Sequence, residues 1–290
     1  MAKYLNMDSV LGIEGGGTKT VALLATGARI QRRQFDALNL KLSTDRQILT
    51  LLRQFQPTRA AICLAGCRTT ADRNRVHRLA KRAWPKAKVF TGNDLDSGLV
   101  AVFGLKQAGI LVISGTGSVI VGRSAGGKIG RAGGWGHWLG DHGSGYWLAL
   151  TGLRAAIREL DRTGQPSTTL RRLLRRLKLK SPEQLVEWIA GATKAEVARH
   201  ADIFLRGNRG LALQAASFLA MDCAAVVRKL KLTQPAVALA GGVLQNHPAF
   251  RSVVIHRIRQ TIPGARVKLW RGESMSESTA LRMTRCWPRR

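Results

Sequence analysis

The chain has 290 residues and a mass of 31.6 kDa, and its 47 Lys and Arg outnumber 17 Asp and Glu for a formal charge of +30 at pH 7. A 45% hydrophobic composition with 31 glycines excludes a disordered chain, and at roughly 150 residues per domain the length fits two moderate domains. No run reaches the roughly 18–20 apolar residues of a membrane helix, the start MAKYLNMDSV lacks a signal peptide's apolar stretch, and Cys63, Cys67, Cys223 and Cys286 show no CxxC spacing, so a cytoplasmic protein without membrane association, disulfide framework or zinc site is expected.

In chain order, residues 10–13, 21–25 and 29–35 form three short runs separated by glycine-containing turns, which predicts three neighbouring strands. Residues 44–55 place Ile48, Leu49, Leu51, Leu52 and Phe55 at helical spacing, and 60–65 return to a buried strand. A basic helix is expected over 68–84 and a short strand over 88–91, after which Asn93 or Asp94 can cap a helix running through Leu95, Leu99, Val102 and Phe103.

The pattern then begins again. VLGIEGGGTKTVALLA reads strand, glycine turn, strand, and GILVISGTGSVIVGRS repeats that order, with GGKIGRAGG leading toward a third strand. The later copy departs by a helical stretch over about 143–230, before 236–240 resumes a strand and Gly241-Gly242 opens another turn. A helix over 255–261, a strand over 267–270 and a final helix over 276–285 complete the chain. Within the helical stretch, 154–180 is the densest basic segment, with Leu170, Leu173, Leu174 and Leu177 between arginines, and reads as an amphipathic basic helix. Clustered Lys and Arg suit nucleic acid, yet no zinc-finger spacing or aromatic RNA-binding signature accompanies them, and a solvated helix face is favoured.

Three loops share one construction, a buried strand ending in small residues: Gly15-Gly16-Gly17-Thr18, Gly115-Thr116-Gly117-Ser118 and Gly241-Gly242-Val243. Glycine lets backbone amides approach and point at a phosphate, while Thr and Ser add hydroxyl donors. Any one alone could be a tight turn; three at matching positions favour phosphate binding. Gly12 to Lys19 narrowly misses a Walker A loop, because Thr18 stands at the lysine position and Thr20-Val21-Ala22-Leu23-Leu24 continues as a strand instead of a helix.

LGIEGGGTKT, Asn93-Asp94 heading a helix, ISGTGS (113–118), GGWGHWLGDHGSGYW (133–147) and AGGVLQN (240–246), in this order, resemble the sugar-kinase and actin-like ATPase superfamily. Within it they are most similar to the N-acetylglucosamine kinase and BadF/BadG/BcrA/BcrD-type ATPase branch. The resemblance implies an α/β fold of two duplicated RNase H-like (actin-like ATPase) lobes, 1–107 and 108–290, with a helical insertion in the second. ATP would lie between the duplicated halves with a sugar beside it, the activity being phosphorylation of an amino sugar such as N-acetylglucosamine or glucosamine.

Phosphoryl transfer needs a base for the acceptor hydroxyl and neutralisation of phosphate charge. The resemblance puts Asp94 in the base role, at the junction of a strand and a helix where a carboxylate is held rigidly; the alternative use of Asp94 is as an N-cap. It sets Glu14 toward hydrated Mg2+, Gly15, Gly16, Gly17, Thr18 and Lys19 around the terminal phosphates, Gly115, Thr116, Gly117 and Ser118 as the opposing clamp, and Gly241 and Gly242 beneath the adenosine. For the sugar it implies Asn39, Asp94, Gly133, Gly134 and Asp141, with Trp135 as an aromatic floor and Trp138, Tyr146 and Trp147 as structural. His142 stands where related amino-sugar kinases carry Glu, which turns the expectation toward an acylated amine. The C-terminus departs too, reading ESTAL and ending in a basic tail.

Two other readings keep the scaffold: an activator ATPase acting on a protein partner, whose relatives need a cysteine at a dimer face for an iron–sulfur cluster, and a basic nucleic-acid-associated regulator. A homodimer is a candidate assembly.

Overall fold

The computed structural model describes residues 9–271 apart from 17, 18, 68 and 105, and the backbone alone of Asp94. Two compact units result, 9–107 and 108–271 among the described residues. The helix expected over 276–285 lies outside them.

In the first unit, β1 (Ser9–Gly15), β2 (Thr20–Thr26) and β3 (Arg29–Phe35) are followed by α1 (Asp45–Leu52), β4 (Arg59–Leu64), α2 (Thr70–Ala83), β5 (Lys88–Gly92) and α3 (Asp94–Phe103). This is the expected order of elements. The sheet runs β3-β2-β1-β4-β5, with antiparallel pairing of β1, β2 and β3 and parallel pairing of β1, β4 and β5. Strand β3 is the exposed edge and carries Arg29, Arg32 and Arg33, charges that discourage pairing with another chain. All three helices start on side-chain caps, the boxes Thr44/Gln47, Thr69/Asp72 and Asn93/Asp96, each satisfying orphan amides that the first helical turn leaves over. Leu11, Ile13, Ile62 and Leu64 from the sheet pack with Ile48 and Leu52 of α1 and Val76 and Leu79 of α2.

The second unit repeats the plan. β6 (Gly109–Ser114), β7 (Ser118–Arg123) and β8 (Ile129–Gly133) form an antiparallel meander, and β9 (Ala236–Ala240) and β10 (Arg266–Leu269) extend it in parallel, giving the order β10-β9-β6-β7-β8. Each strand of one sheet has a counterpart in the other with the same neighbours and directions, so the duplication read from the glycine hairpins extends to whole sheets.

Between β8 and β9 stand six helices: α4 (Gly145–Thr163), α5 (Thr168–Leu177), α6 (Gln184–Gly191), α7 (Lys194–Ala198), α8 (Ala201–Gly207) and α9 (Arg209–Leu230). The basic helix expected over 154–180 is in fact two. Gly164 adopts a left-handed C-cap after α4 and Ser167 caps α5, with Pro166 between them lacking the N–H a continuous helix would use. The short α10 (Gly242–Asn246) and α11 (Pro248–Thr261) lie between β9 and β10. Helix α9 is long and apolar enough by length and composition to cross a bilayer, but half of that stretch is buried inside the unit. Its Ala215, Ala216, Leu219, Cys223 and Val226 pack in one cluster with Ile110, Val112 and Ile120 of the sheet and Val254 and Ile258 of α11, each fully buried leucine, isoleucine or valine contributing about 1.5–3 kcal/mol.

Candidate functional site

In the first unit the glycine hairpin joins β1 to β2. Gly15 pairs with Thr20, and the Gly16 amide donates to the Lys19 carbonyl at 2.9 Å. Gly17 and Thr18 lie outside the described residues. The hairpin is tied to the segment that follows β3: Thr20 Oγ1 donates to the Asp36 carbonyl at 2.8 Å and accepts from the Leu38 amide at 2.9 Å. Glu14 sits in β1 opposite Val21 and Cys63, its Oε2 shielded from solvent. Lys19 is exposed at the end of the turn.

Asn39 forms a parallel bridge with Ala65, next to the Leu40 amide that donates to the Ala65 carbonyl, while the Ala65 amide donates to the Gly15 carbonyl at 2.7 Å. Backbone bonds therefore link Asn39 to the base of the hairpin through one residue. Its Oδ1 accepts from the Lys41 amide at 3.0 Å. Lys41 in turn pairs with Asp72 at 2.6 Å.

At the start of α3 the cap is Asn93, whose side chain accepts from the Asp96 amide at 2.7 Å, while Asp96 Oδ2 accepts from the Asn93 amide and from Arg73 Nη2, both at 3.0 Å. Asp96 is thus committed to the capping box and an ion pair. Asp94 is the first helical residue and not the cap; its side chain lies outside the described atoms. Cys67, nearby, has its thiol pushed up by burial, partly offset by Arg73.

In the second unit the hairpin 115–117 closes through the Gly115 amide donating to the Gly117 carbonyl at 2.9 Å. Four hydrogen bonds tie it to the loop entering α4 and to the first turn of that helix. Gly145 and Tyr146 amides donate to the Gly115 and Thr116 carbonyls, Ser114 Oγ donates to the Gly143 carbonyl at 2.7 Å, and Ser118 Oγ donates to the His142 carbonyl at 2.8 Å. The Ser118 hydroxyl, expected to serve a phosphate, is therefore used as a brace; Thr116 remains exposed.

Asp141 occupies the left-handed region at φ 57° and is 4% exposed. Its Oδ2 accepts from Lys194 Nζ, at the start of α7, at 2.6 Å. This ion pair lies against the hairpin: a Cβ at Gly117 would fall 2.7 Å from Asp141 Oδ2 and 3.0 Å from Lys194 Nζ. Only glycine lets backbone and ion pair approach so closely. Lys194 carries no signal in the sequence, because it stands 53 residues from Asp141 on a surface-type TKAE segment indistinguishable from a solvated helix start.

Gly133 ends β8 and Gly134 follows it, and Arg131 Nε and Nη2 donate to their carbonyls, both at 3.1 Å, while its guanidinium lies 5.2 Å from the Trp135 ring centroid. Trp135 is 65% exposed. Trp138, expected to be structural, is 83% exposed; the His137 ring is tilted against it at 4.8 Å and meets Tyr146 edge-on at 5.0 Å. Tyr146 and Trp147 are half-buried against the core, as expected. His142 is exposed, its ring 4.7 Å from that of Phe218 on α9. Asp222, also on α9 and unforeseen, has its carboxyl pushed up by burial against the opposing pull of His142 and Lys229, and a Cβ at Gly133 would lie 3.1 Å from its Oδ2.

The third glycine pair is no hairpin. Gly241 follows β9 as the N-cap of α10 and Gly242 starts that helix, which places the pair at the strand-to-helix position that β4 and α2 occupy in the first unit. A Cβ at Gly115 would lie 3.8 Å from the Gly242 amide, so the two glycine segments meet all the same. The described residues thus bring together 115–118, 133–134, 141–142 and 241–242 in the second unit, and 14–16, 19 and 39 in the first. An open groove of about 540 Å³ between β3 and α1, lined by Phe35, Asp36, Arg46 and Leu51 among others, contains none of the expected residues.

Residues 11–268 match the profile of the BadF/BadG/BcrA/BcrD ATPase family. The chain is 32% identical, over 266 aligned residues covering 83% of it and 87% of the relative, to the N-acetylmuramic acid/N-acetylglucosamine kinase of Clostridium acetobutylicum. It is 27% identical over 210 residues, 63% of this chain and 65% of the relative, to the N-acetyl-D-glucosamine kinase of Dictyostelium discoideum. A candidate N-acetylglucosamine kinase from Chromobacterium violaceum shares the fold, with a TM-score of 0.69 at 24% identity over 96% of this chain and 99% of that structure.

Proposed function

Since the chain belongs to the BadF/BadG/BcrA/BcrD ATPase family, we propose that it is an ATP-dependent kinase of an amino sugar of the N-acetylglucosamine or glucosamine type. The observation that carries this reading is the pair of glycine hairpins at equivalent positions in two sheets of identical order. The second hairpin is braced on a loop that holds a buried carboxylate. Hairpin amides are suited to phosphate oxygens, and buried carboxylates to sugar hydroxyls. The names of the two curated relatives point to the same substrate class.

In this reading Gly15 to Lys19 and Gly115 to Ser118 hold the phosphates of ATP, with Gly241 and Gly242 beside the nucleoside. Asn39, Gly133, Gly134, Asp141 and His142 orient the sugar, and Trp135 offers its exposed ring to the apolar sugar face. Asp94 takes the proton from the acceptor hydroxyl as that oxygen forms its bond to the γ-phosphorus and the bond to the β–γ bridging oxygen breaks, releasing ADP. The use of Asn93 as cap removes the competing role for Asp94. Glu14, at the end of β1 with one oxygen shielded from solvent, fits a hydrated magnesium ion. Among the described residues no group of three His, Cys, Asp or Glu could hold a metal, and magnesium needs few protein ligands because it keeps waters and phosphate oxygens. When bound it would neutralise phosphate charge.

The activator reading finds no support in the cysteines, since Cys63, Cys67 and Cys223 are all buried; Cys286 lies outside the described residues. The kinase reading is tested by incubating the protein with ATP, magnesium and a sugar panel: ADP release should depend on an amino sugar, and Asp94→Asn should lower turnover by about 10²–10⁴-fold. Turnover indifferent to Asp94→Asn would remove that residue from the base role, and ADP release indifferent to every sugar would remove the kinase.

A further inference from the structure

Lys194 is a charged group of the second unit that neither the glycine motifs nor the family resemblance singles out, and it is ion-paired against a hairpin. Its ammonium is 2.6 Å from Asp141 Oδ2, a carboxylate on a residue only 4% exposed. The pair lies directly beside Gly117, within 3.0 Å of where that residue's Cβ would be. A buried anion in that position opposes the binding of any second anion by the same hairpin, unless a cation sits between or beside them. Lys194 sits there. Its ammonium has three donors, one of which serves Asp141, and its side chain remains 31% exposed, so the others can reach solvent or a ligand. The lysine stands at the first helical position of α7, where Thr193 and Glu196 close a capping box, and the backbone from which it projects is thereby fixed.

We infer that Lys194 is a phosphate-binding residue of the hairpin 115–118: it neutralises Asp141 and gives its remaining donors to the terminal phosphates of the bound nucleotide. The inference rests on the kinase reading above and adds a residue to it. The hairpin supplies dipoles, and Lys194, besides cancelling the charge of Asp141, supplies ammonium donors to the polyphosphate. In the same stroke the lysine joins Asp141, on the sugar side of that reading, to the nucleotide side.

Calorimetric titration with ADP and with adenosine tests this without turnover. Lys194→Met should weaken ADP at least tenfold and leave adenosine, which has no phosphate, within twofold of the unsubstituted protein; Lys194→Arg should recover most of the ADP affinity. Because Lys194→Met leaves a buried carboxylate without its partner and can lower stability, the doubly substituted Asp141→Asn, Lys194→Met protein is measured alongside, with a thermal melt as the check on folding. If Lys194 binds phosphate, the double variant also stays at least tenfold weak for ADP. ADP affinity restored in the double variant would reduce Lys194 to a counter-ion of Asp141 and overturn the inference, as would Lys194→Met binding ADP like the unsubstituted protein. An unsubstituted protein that binds neither ADP nor adenosine would overturn the kinase reading and this inference with it.

Discussion

Replacing Gly241 by alanine separates two costs that are usually confounded, backbone strain and lack of room. Gly241 has φ 95° and ψ 151°, a region that residues with a side chain almost never occupy, and forcing one there costs about 1–3 kcal/mol. The new Cβ would also lie 2.3 Å from the Ser114 carbonyl oxygen and 2.5 Å from its carbon. Those are backbone atoms of β6, the central strand, flanked by β7 and β9, with the Ser114 hydroxyl bonded to Gly143, so they cannot easily move aside and overpacking adds about 1–3 kcal/mol. The sum is about 2–6 kcal/mol, which at roughly 3 °C per kcal/mol lowers the unfolding midpoint by roughly 6–18 °C. Gly164 is the internal control. It has φ 67° and ψ 3° and nothing within 4 Å of its would-be Cβ, so Gly164→Ala carries only the left-handed penalty of about 1–2 kcal/mol. Differential scanning calorimetry of both variants decides: equal midpoints would show that crowding against β6 contributes nothing, and the packing argument would fail.

Acidification should destabilise the protein below about pH 6.5. Burial holds the imidazoles of His200 and His247 below the ordinary value, with Arg176 pushing the same way on His200. Between the depressed values and the unfolded value near 6.5 the unfolded chain binds more protons, so this contribution is complete above about 6.5 and is lost as pH falls toward the folded values. Urea midpoints at pH 7.5 and 5.5 measure the loss, and His200→Gln should shrink the difference; an undiminished difference would clear His200 of responsibility. The thiols of Cys63, Cys67 and Cys223 should resist alkylation in the folded protein and react once it is unfolded. All three are buried, and burial pushes Cys223 up to about 12, far from the thiolate form that reacts. Labelling followed by peptide mass mapping checks this, and rapid modification of Cys223 under native conditions would contradict its burial.

The elements of the first unit, the repeated strand–hairpin–strand and the placement of Asn93 at a helix start were legible in the residues themselves. Each is governed by short-range physics: alternation of apolar side chains, the tolerance of glycine for tight turns, and a side chain that satisfies amides within its own turn. The break at Gly164 and Pro166 is equally local, but a strong basic-amphipathic pattern runs across it and masks it. Other features had no local signature. Whether Gly241-Gly242 makes a hairpin or a strand-to-helix junction depends on what β9 pairs with. Trp138 is exposed, although the composition of its segment resembles that of a core segment. The pairing of Lys194 with Asp141 joins residues 53 positions apart, and Asp222 reaches Gly133 only because α9 packs on the sheet that β8 ends. Identity and spacing along the chain determined which groups could bind an anion or a hydroxyl. Which of them share one place, and which charge is left facing another, was decided when strands and helices distant in sequence packed together, since Coulomb forces and steric contact act through space and carry no memory of chain order.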